Sequence, residues 1–110
     1  MTRPLEAALL GSLEEQVMLA VIRTGAEAYG MNVRRELEQV TGREMTIGSV
    51  YATLDRLEAK QLVHSARTAA PDTTSRRIFG VTPLGLRSLA LTRATRNRLW
   101  AGVKLEGLAR

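Results

Sequence analysis

No cysteine occurs among the 110 residues. That absence excludes a disulfide scaffold, a thiolate metal site and a cysteine nucleophile, and it fits a reducing cytosol. Aromatic residues make up only 4% of the chain, so a core must be assembled from Leu, Val, Ile, Ala and Met. Histidine occurs once, at His64, which is too few for a multi-histidine metal site and reads as a packed or surface residue of a strand. Long hydrophobic runs are missing as well. Val17-Met18-Leu19-Ala20-Val21-Ile22 is far too short to cross a bilayer and reads as part of a buried helix. With no secretory segment found, a cytoplasmic location is expected.

What is present is enough for one modest core, since 45% of the residues are hydrophobic. The net charge is +5, and its distribution is uneven. Residues 1–60 hold seven Arg/Lys against nine Asp/Glu, whereas residues 61–110 hold nine Arg/Lys against only Asp72 and Glu106. The whole basic excess therefore lies in the C-terminal half, which suggests a polyanionic partner there.

Periodicity divides the chain further. After an arm over residues 1–11, Ser12 is suited to cap a first helix with Glu14 and Glu15 in its first turn. Leu13, Val17, Ala20 and Val21 recur at helical spacing until Gly25. A second helix is predicted from about Tyr29 to Val40, stopped by Thr41-Gly42. A third follows in "TIGSVYATLDRLEAK", residues 46–60, where Thr46 is the cap and Ile47, Val50, Tyr51, Leu54 and Leu57 mark the apolar side. The period then changes. Leu62–Arg67 and Arg76–Val81 read as two strands joined by the loop residues Ala69-Ala70-Pro71-Asp72-Thr73-Thr74, a hairpin with a mobile tip. Thr82-Pro83 starts a last helix that is apolar on several sides and carries five arginines among its leucines. Such a helix needs more partners than one three-helix core can offer.

The third helix carries the most specific signal. Ser49, Thr53, Arg56 and Lys60 are expected on its outward side, with Gly48 and Ala52 keeping that surface free of bulk. Short hydroxyls near a helix N-terminus allow close approach to phosphates or base edges, and an arginine two turns on can reach either. Arg67, Arg76 and Arg77 flank the hairpin tip, where a β-ribbon can offer guanidinium groups to phosphates or the minor groove. A groove-reading helix followed at once by a basic hairpin is the arrangement of a winged helix-turn-helix. The expected fold is therefore mainly α with a small β-hairpin. Residues 1–82 would form the DNA-binding domain with its N-terminal arm, and residues 83–110 a long C-terminal dimerisation helix.

The chain also resembles the PadR family of bacterial transcriptional regulators over roughly residues 10 to 92. The resemblance rests on Tyr29-Gly30 opening the second helix, on Thr46-Ile47-Gly48-Ser49-Val50-Tyr51 with Leu54 and Leu57 in the third, and on Thr82-Pro83-Leu84-Gly85 opening the fourth. It departs at Gly80, where a bulky or basic residue is usual. The resemblance implies a homodimer held by a single C-terminal helix, binding pseudo-palindromic double-stranded DNA, usually as a repressor. It implies DNA contacts from Thr46, Ser49, Tyr51, Thr53 and Arg56. The spacing of Tyr51 puts its ring in the core while its hydroxyl can still reach a phosphate. Some such dimers hold a flat aromatic effector between tryptophans of the two subunits. Trp100 is the residue placed for this, with a dimer-core aromatic as the other reading.

Other functions find little support. Asp55 and Glu58 sit beside Arg56 and read as ion-pair partners, not as catalytic carboxylates. "GAEAYG" lacks the glycine pattern and preceding strand of a dinucleotide fingerprint, and Ser65 beside His64 is adjacency without a triad. Neither an enzyme activity nor a cofactor or metal is expected. The alternative is a winged-helix module for protein interaction, against which the cationic Arg56 and Lys60 argue.

Overall fold

The computed structural model describes residues 6–68 and 76–108 of the chain. Helix α1 spans Ser12–Thr24 and is followed by a 3₁₀ turn, Gly25–Glu27; α2 spans Gly30–Thr41 and α3 spans Ile47–Ala59. Strands β1 (Val63–Arg67) and β2 (Arg77–Val81) form an antiparallel hairpin, and α4 runs from Pro83 to Trp100. This is the mainly helical, winged-helix architecture expected from the sequence. The predicted tip at residues 69–74 lies outside the described residues.

The helix starts follow local chemistry with one correction. Thr46 accepts a hydrogen bond from the Ser49 amide (3.1 Å), and Thr82 accepts one from Gly85 (3.0 Å), so both cap as expected. Gly11, not Ser12, occupies the cap of α1. Its carbonyl accepts from the Glu15 amide (2.9 Å), while its own amide donates to Glu14 Oε1 (3.2 Å). The Glu14 carboxylate thus satisfies the donor that a hydroxyl cap would have left to it, and Ser12 becomes the first helical residue.

The core is a single cluster. Val17, Met18 and Val21 of α1 meet Val33 and Leu37 of α2, Val50, Leu54 and Leu57 of α3, Val63 and Phe79 of the hairpin, and Leu84 and Leu89 of α4. Each fully buried aliphatic side chain contributes about 1.5–3 kcal/mol relative to exposure. The hairpin register pairs Val63 with Val81, Ser65 with Phe79 and Arg67 with Arg77. On the opposite face His64 pairs with Gly80. A Cβ at Gly80 would lie 2.7 Å from the imidazole, so the His64 ring fills the space that a bulkier residue at position 80 would need. The Phe79 amide also donates to the Ala28 carbonyl (3.0 Å), which ties the hairpin to the segment ahead of α2.

Two glycines of the family-like segments are required by close approach. A Cβ on Gly85 would sit 2.2 Å from the Leu62 carbonyl oxygen, so only glycine lets α4 start against the α3–β1 junction. A Cβ on Gly30 would sit 2.4 Å from Cζ of Tyr51, whose ring occupies that space.

The N-terminal arm is held along α4. The Ala8 amide donates to Ser88 Oγ (3.2 Å) and the Leu10 amide to Thr92 Oγ1 (3.0 Å), one helical turn apart. Beyond Arg96 the rest of the helix and the chain that follows it are exposed. The radius of gyration is 16.5 Å, where a compact chain of this length would have about 13 Å. The helix also ends earlier than expected. It stops at Trp100, where Ala101 leaves the helical region and Gly102 takes a φ of +76°. Residues 101–108 are turns and irregular chain, so the dimerisation helix predicted over 83–110 is an 18-residue helix with an exposed apolar extension. Among the described residues, no helix is long and apolar enough to cross a membrane.

Candidate nucleic-acid interface

The outer side of α3 is built from few atoms. Val50, Leu54 and Leu57 face the core, which leaves Thr46, Gly48, Ser49, Ala52 and Arg56 exposed along the opposite side. A Cβ at Gly48 would meet nothing within 4 Å, so the first turn is open to a partner. The amides of that turn and the hydroxyls of Thr46 and Ser49 point a polar, slightly positive end at whatever docks there.

Thr53 does not share this surface. It is 1% exposed, because its position one turn from both Val50 and Leu57 turns it inward. Its hydroxyl donates to the Ser49 carbonyl (3.0 Å) and accepts from Arg56 Nη2 (3.2 Å). The expectation that Thr53 faces outward is therefore corrected: it steadies the Arg56 guanidinium from below. Tyr51 is half-buried with its ring over Gly30. Its ring packs against the core, as the spacing predicts.

Lys60 is exposed but paired. Its Nζ lies 2.7 Å from Glu14 Oε2 at the start of α1. This hydrogen bond, aided by the Gly11 amide and the charges of Lys60 and Arg56, holds the Glu14 carboxyl below its ordinary value against a smaller opposing effect of burial. Glu15, next along, is 9% exposed and accepts from Arg96, which fastens α4 to α1. Neither link was visible in the sequence, where both glutamates read only as helix-dipole partners.

The hairpin arginines are also committed within the molecule. Arg76 lies over the Tyr29 ring, 4.9 Å from its centroid. Arg77 turns back onto α3, where Nη1 is 3.2 Å from Asp55 Oδ1 and Nη2 is 2.7 Å from Glu58 Oε1. Its side chain is only 27% exposed. Asp55 and Glu58 are ion-pair partners as the sequence suggested, but of Arg77, not of Arg56. Arg67 stands exposed at the tip end of β1. Trp100 is exposed at the end of α4, beside the exposed Leu99.

The assembled site can present hydroxyls, helix-end amides and one steadied guanidinium to a groove, with a cationic hairpin alongside. Solved structures share the fold. A PadR-like transcription factor from Bacteroides fragilis is 22% identical, with a TM-score of 0.70 over 79% of this chain and 82% of that one. A PadR-like transcriptional regulator from Bacillus cereus is 21% identical, with a TM-score of 0.66 over 81% and 84%. A PadR family transcriptional regulator from Eggerthella lenta is 26% identical, with a TM-score of 0.65 over 82% of each chain. No curated protein sequence matches the chain. The family model for the transcriptional regulator PadR-like family matches residues 18–91, which include the second and third helices, the hairpin and the start of α4. The chain belongs to the PadR-like family of transcriptional regulators.

Proposed function

We propose that this regulator is a cytoplasmic homodimer that reads a pseudo-palindromic operator with α3 and acts as a repressor. The observation that carries the reading is the exposed side of α3, where Gly48, Ser49, Ala52 and Arg56 leave a shallow polar surface next to the hairpin. Bulk-free hydroxyl and guanidinium surfaces suit the major groove, whose base edges offer the matching donors and acceptors. Residues 1–82 serve as the DNA-binding unit and the last helix as the dimer contact. Leu86, Leu91, Leu99 and Trp100 support that contact, because all four are exposed on α4 and would be covered by a second copy. Occupying an operator is enough to block a promoter, so repression is the simplest output. In the dimer, Trp100 offers an aromatic surface on which a flat effector can stack.

The test is selection of fragmented host genomic DNA by the purified protein at near-physiological salt, followed by sequencing. Enrichment of a two-fold-symmetric site with half-sites roughly 10 base pairs apart is expected. No enriched sequence from folded, dimeric protein would point to a protein partner instead.

A further inference from the structure

We infer that Arg77 is a positioning residue and not a DNA contact: it fixes the hairpin against α3 and so sets the angle at which helix and wing meet a duplex. The inference rests on the DNA-reading role proposed above. Its basis is a junction built around two carboxylates of the recognition helix. Glu58 accepts from Arg77 Nη2 on β2 at 2.7 Å and from Ser65 Oγ on β1 at 2.9 Å, so one side chain of α3 holds both strands. Asp55, one turn earlier, takes the other arm of the same guanidinium at 3.2 Å. The guanidinium also lies over the Phe79 ring, 4.8 Å from its centroid, and Phe79 is buried.

This arrangement has a geometric and an electrostatic consequence. A planar fork that bridges two carboxylates and rests on a buried ring has one orientation, which the flexible stem and point charge of a lysine would not fix. The carboxylates sit on the helix that would approach phosphates, where unneutralised they would repel DNA. Were Arg77 to swing out to a phosphate, it would leave Asp55 and Glu58 without that counter-charge. Arg77 thus serves binding by staying where it is.

The test compares Arg77→Met, Arg77→Lys, Glu58→Gln and the Arg77→Met/Glu58→Gln double variant, with Arg76→Met as the comparator. Amide exchange of residues 63–67 and 77–81 in the free protein is read first. Several-fold faster exchange is expected in Arg77→Met and in Glu58→Gln, with the double variant no faster than the quicker single one. Arg77→Lys should fall between wild type and Arg77→Met, and it supplies the answer if Arg77→Met does not fold. On a duplex that the wild type selects, the Arg77→Met/Glu58→Gln variant, which removes one charge of each sign, should bind more weakly with an unchanged salt dependence. A direct phosphate contact would instead lower the slope of log affinity against log salt by about 0.9. Unchanged wing exchange in all Arg77 variants, or that loss of slope, would overturn the inference. If the wild type selects no DNA, the proposed function fails, while the brace is still decided by the exchange data.

Discussion

Tyr51 of α3 lies directly over Gly30 at the start of α2, with 2.4 Å between its Cζ and the place a Cβ would take on the glycine. The contact joins two segments of the family-like pattern, and it has a parallel where Gly85 meets the Leu62 carbonyl. The obstacles differ in kind. At Gly30 a side chain must give way, whereas at Gly85 the backbone itself is in the path. Gly30→Ala should cost about 1–3 kcal/mol as the Tyr51 ring is displaced, and Gly85→Ala more than that. Urea denaturation of the two variants checks both the size and the order.

The end of α3 contains a strained residue. Gln61 has a φ of +63° and closes the helix, with its amide donating to Glu58 and the Leu62 amide donating back to Leu57, both at 2.9 Å. This left-handed position is one that glycine fills without a Cβ penalty. Gln61→Gly should therefore leave the fold intact and stabilise it by up to about 1 kcal/mol, after the extra freedom of glycine in the unfolded chain is offset. A higher denaturation midpoint at unchanged m-value is the expected readout.

Acid should loosen the link between α1 and α3. Glu14 has its carboxyl held below the ordinary value of 4.5, first by Lys60, so the folded state favours its charged form. That contribution is fully present above pH of about 4.5 and is lost as pH falls through the lowered folded value. Glu14→Gln should therefore lower the neutral-pH midpoint by a small amount, because Lys60 is half exposed, and that difference from wild type should vanish as pH falls through the lowered value. Denaturation midpoints across the acid range decide it.

The apolar residues left uncovered on α4 predict a dimer. Light scattering should give twice the chain mass at micromolar concentration, and Leu99→Glu should shift it toward the monomer without loss of helicity, since Leu99 is 73% exposed. A monomeric wild type would remove the basis for a two-fold operator.

Much of the fold was legible because it depends on local chemistry. Thr46 and Thr82-Pro83 start helices wherever they precede an apolar period, and both do so here. The missed features have identifiable causes. Helical spacing alone places Thr53 between Val50 and Leu57 on the buried side, although a hydroxyl also suits an outward position. Val103, Leu105 and Leu108 continued the apolar pattern past Gly102, whose left-handed backbone ends the helix region. The links from Glu15 to Arg96 and from Lys60 to Glu14 span 81 and 46 residues. No local pattern selects such partners; only the packed fold brings them together. Arg77 belongs to this class, since its charge suggested DNA while its neighbours are the carboxylates of α3.

The most direct test of the central claim is the ratio of affinities for the selected operator and for an unrelated duplex, measured at one near-physiological salt concentration. Ser49→Ala and Arg56→Ala should each lower that ratio, Arg56→Ala by about tenfold, the low end of the 1–3 kcal/mol that a good base-edge contact supplies. Arg76→Ala should weaken both complexes alike and leave the ratio where it was. A ratio unchanged by both α3 substitutions, in protein that remains folded and dimeric, would mean that the polar side of α3 does not read the sequence.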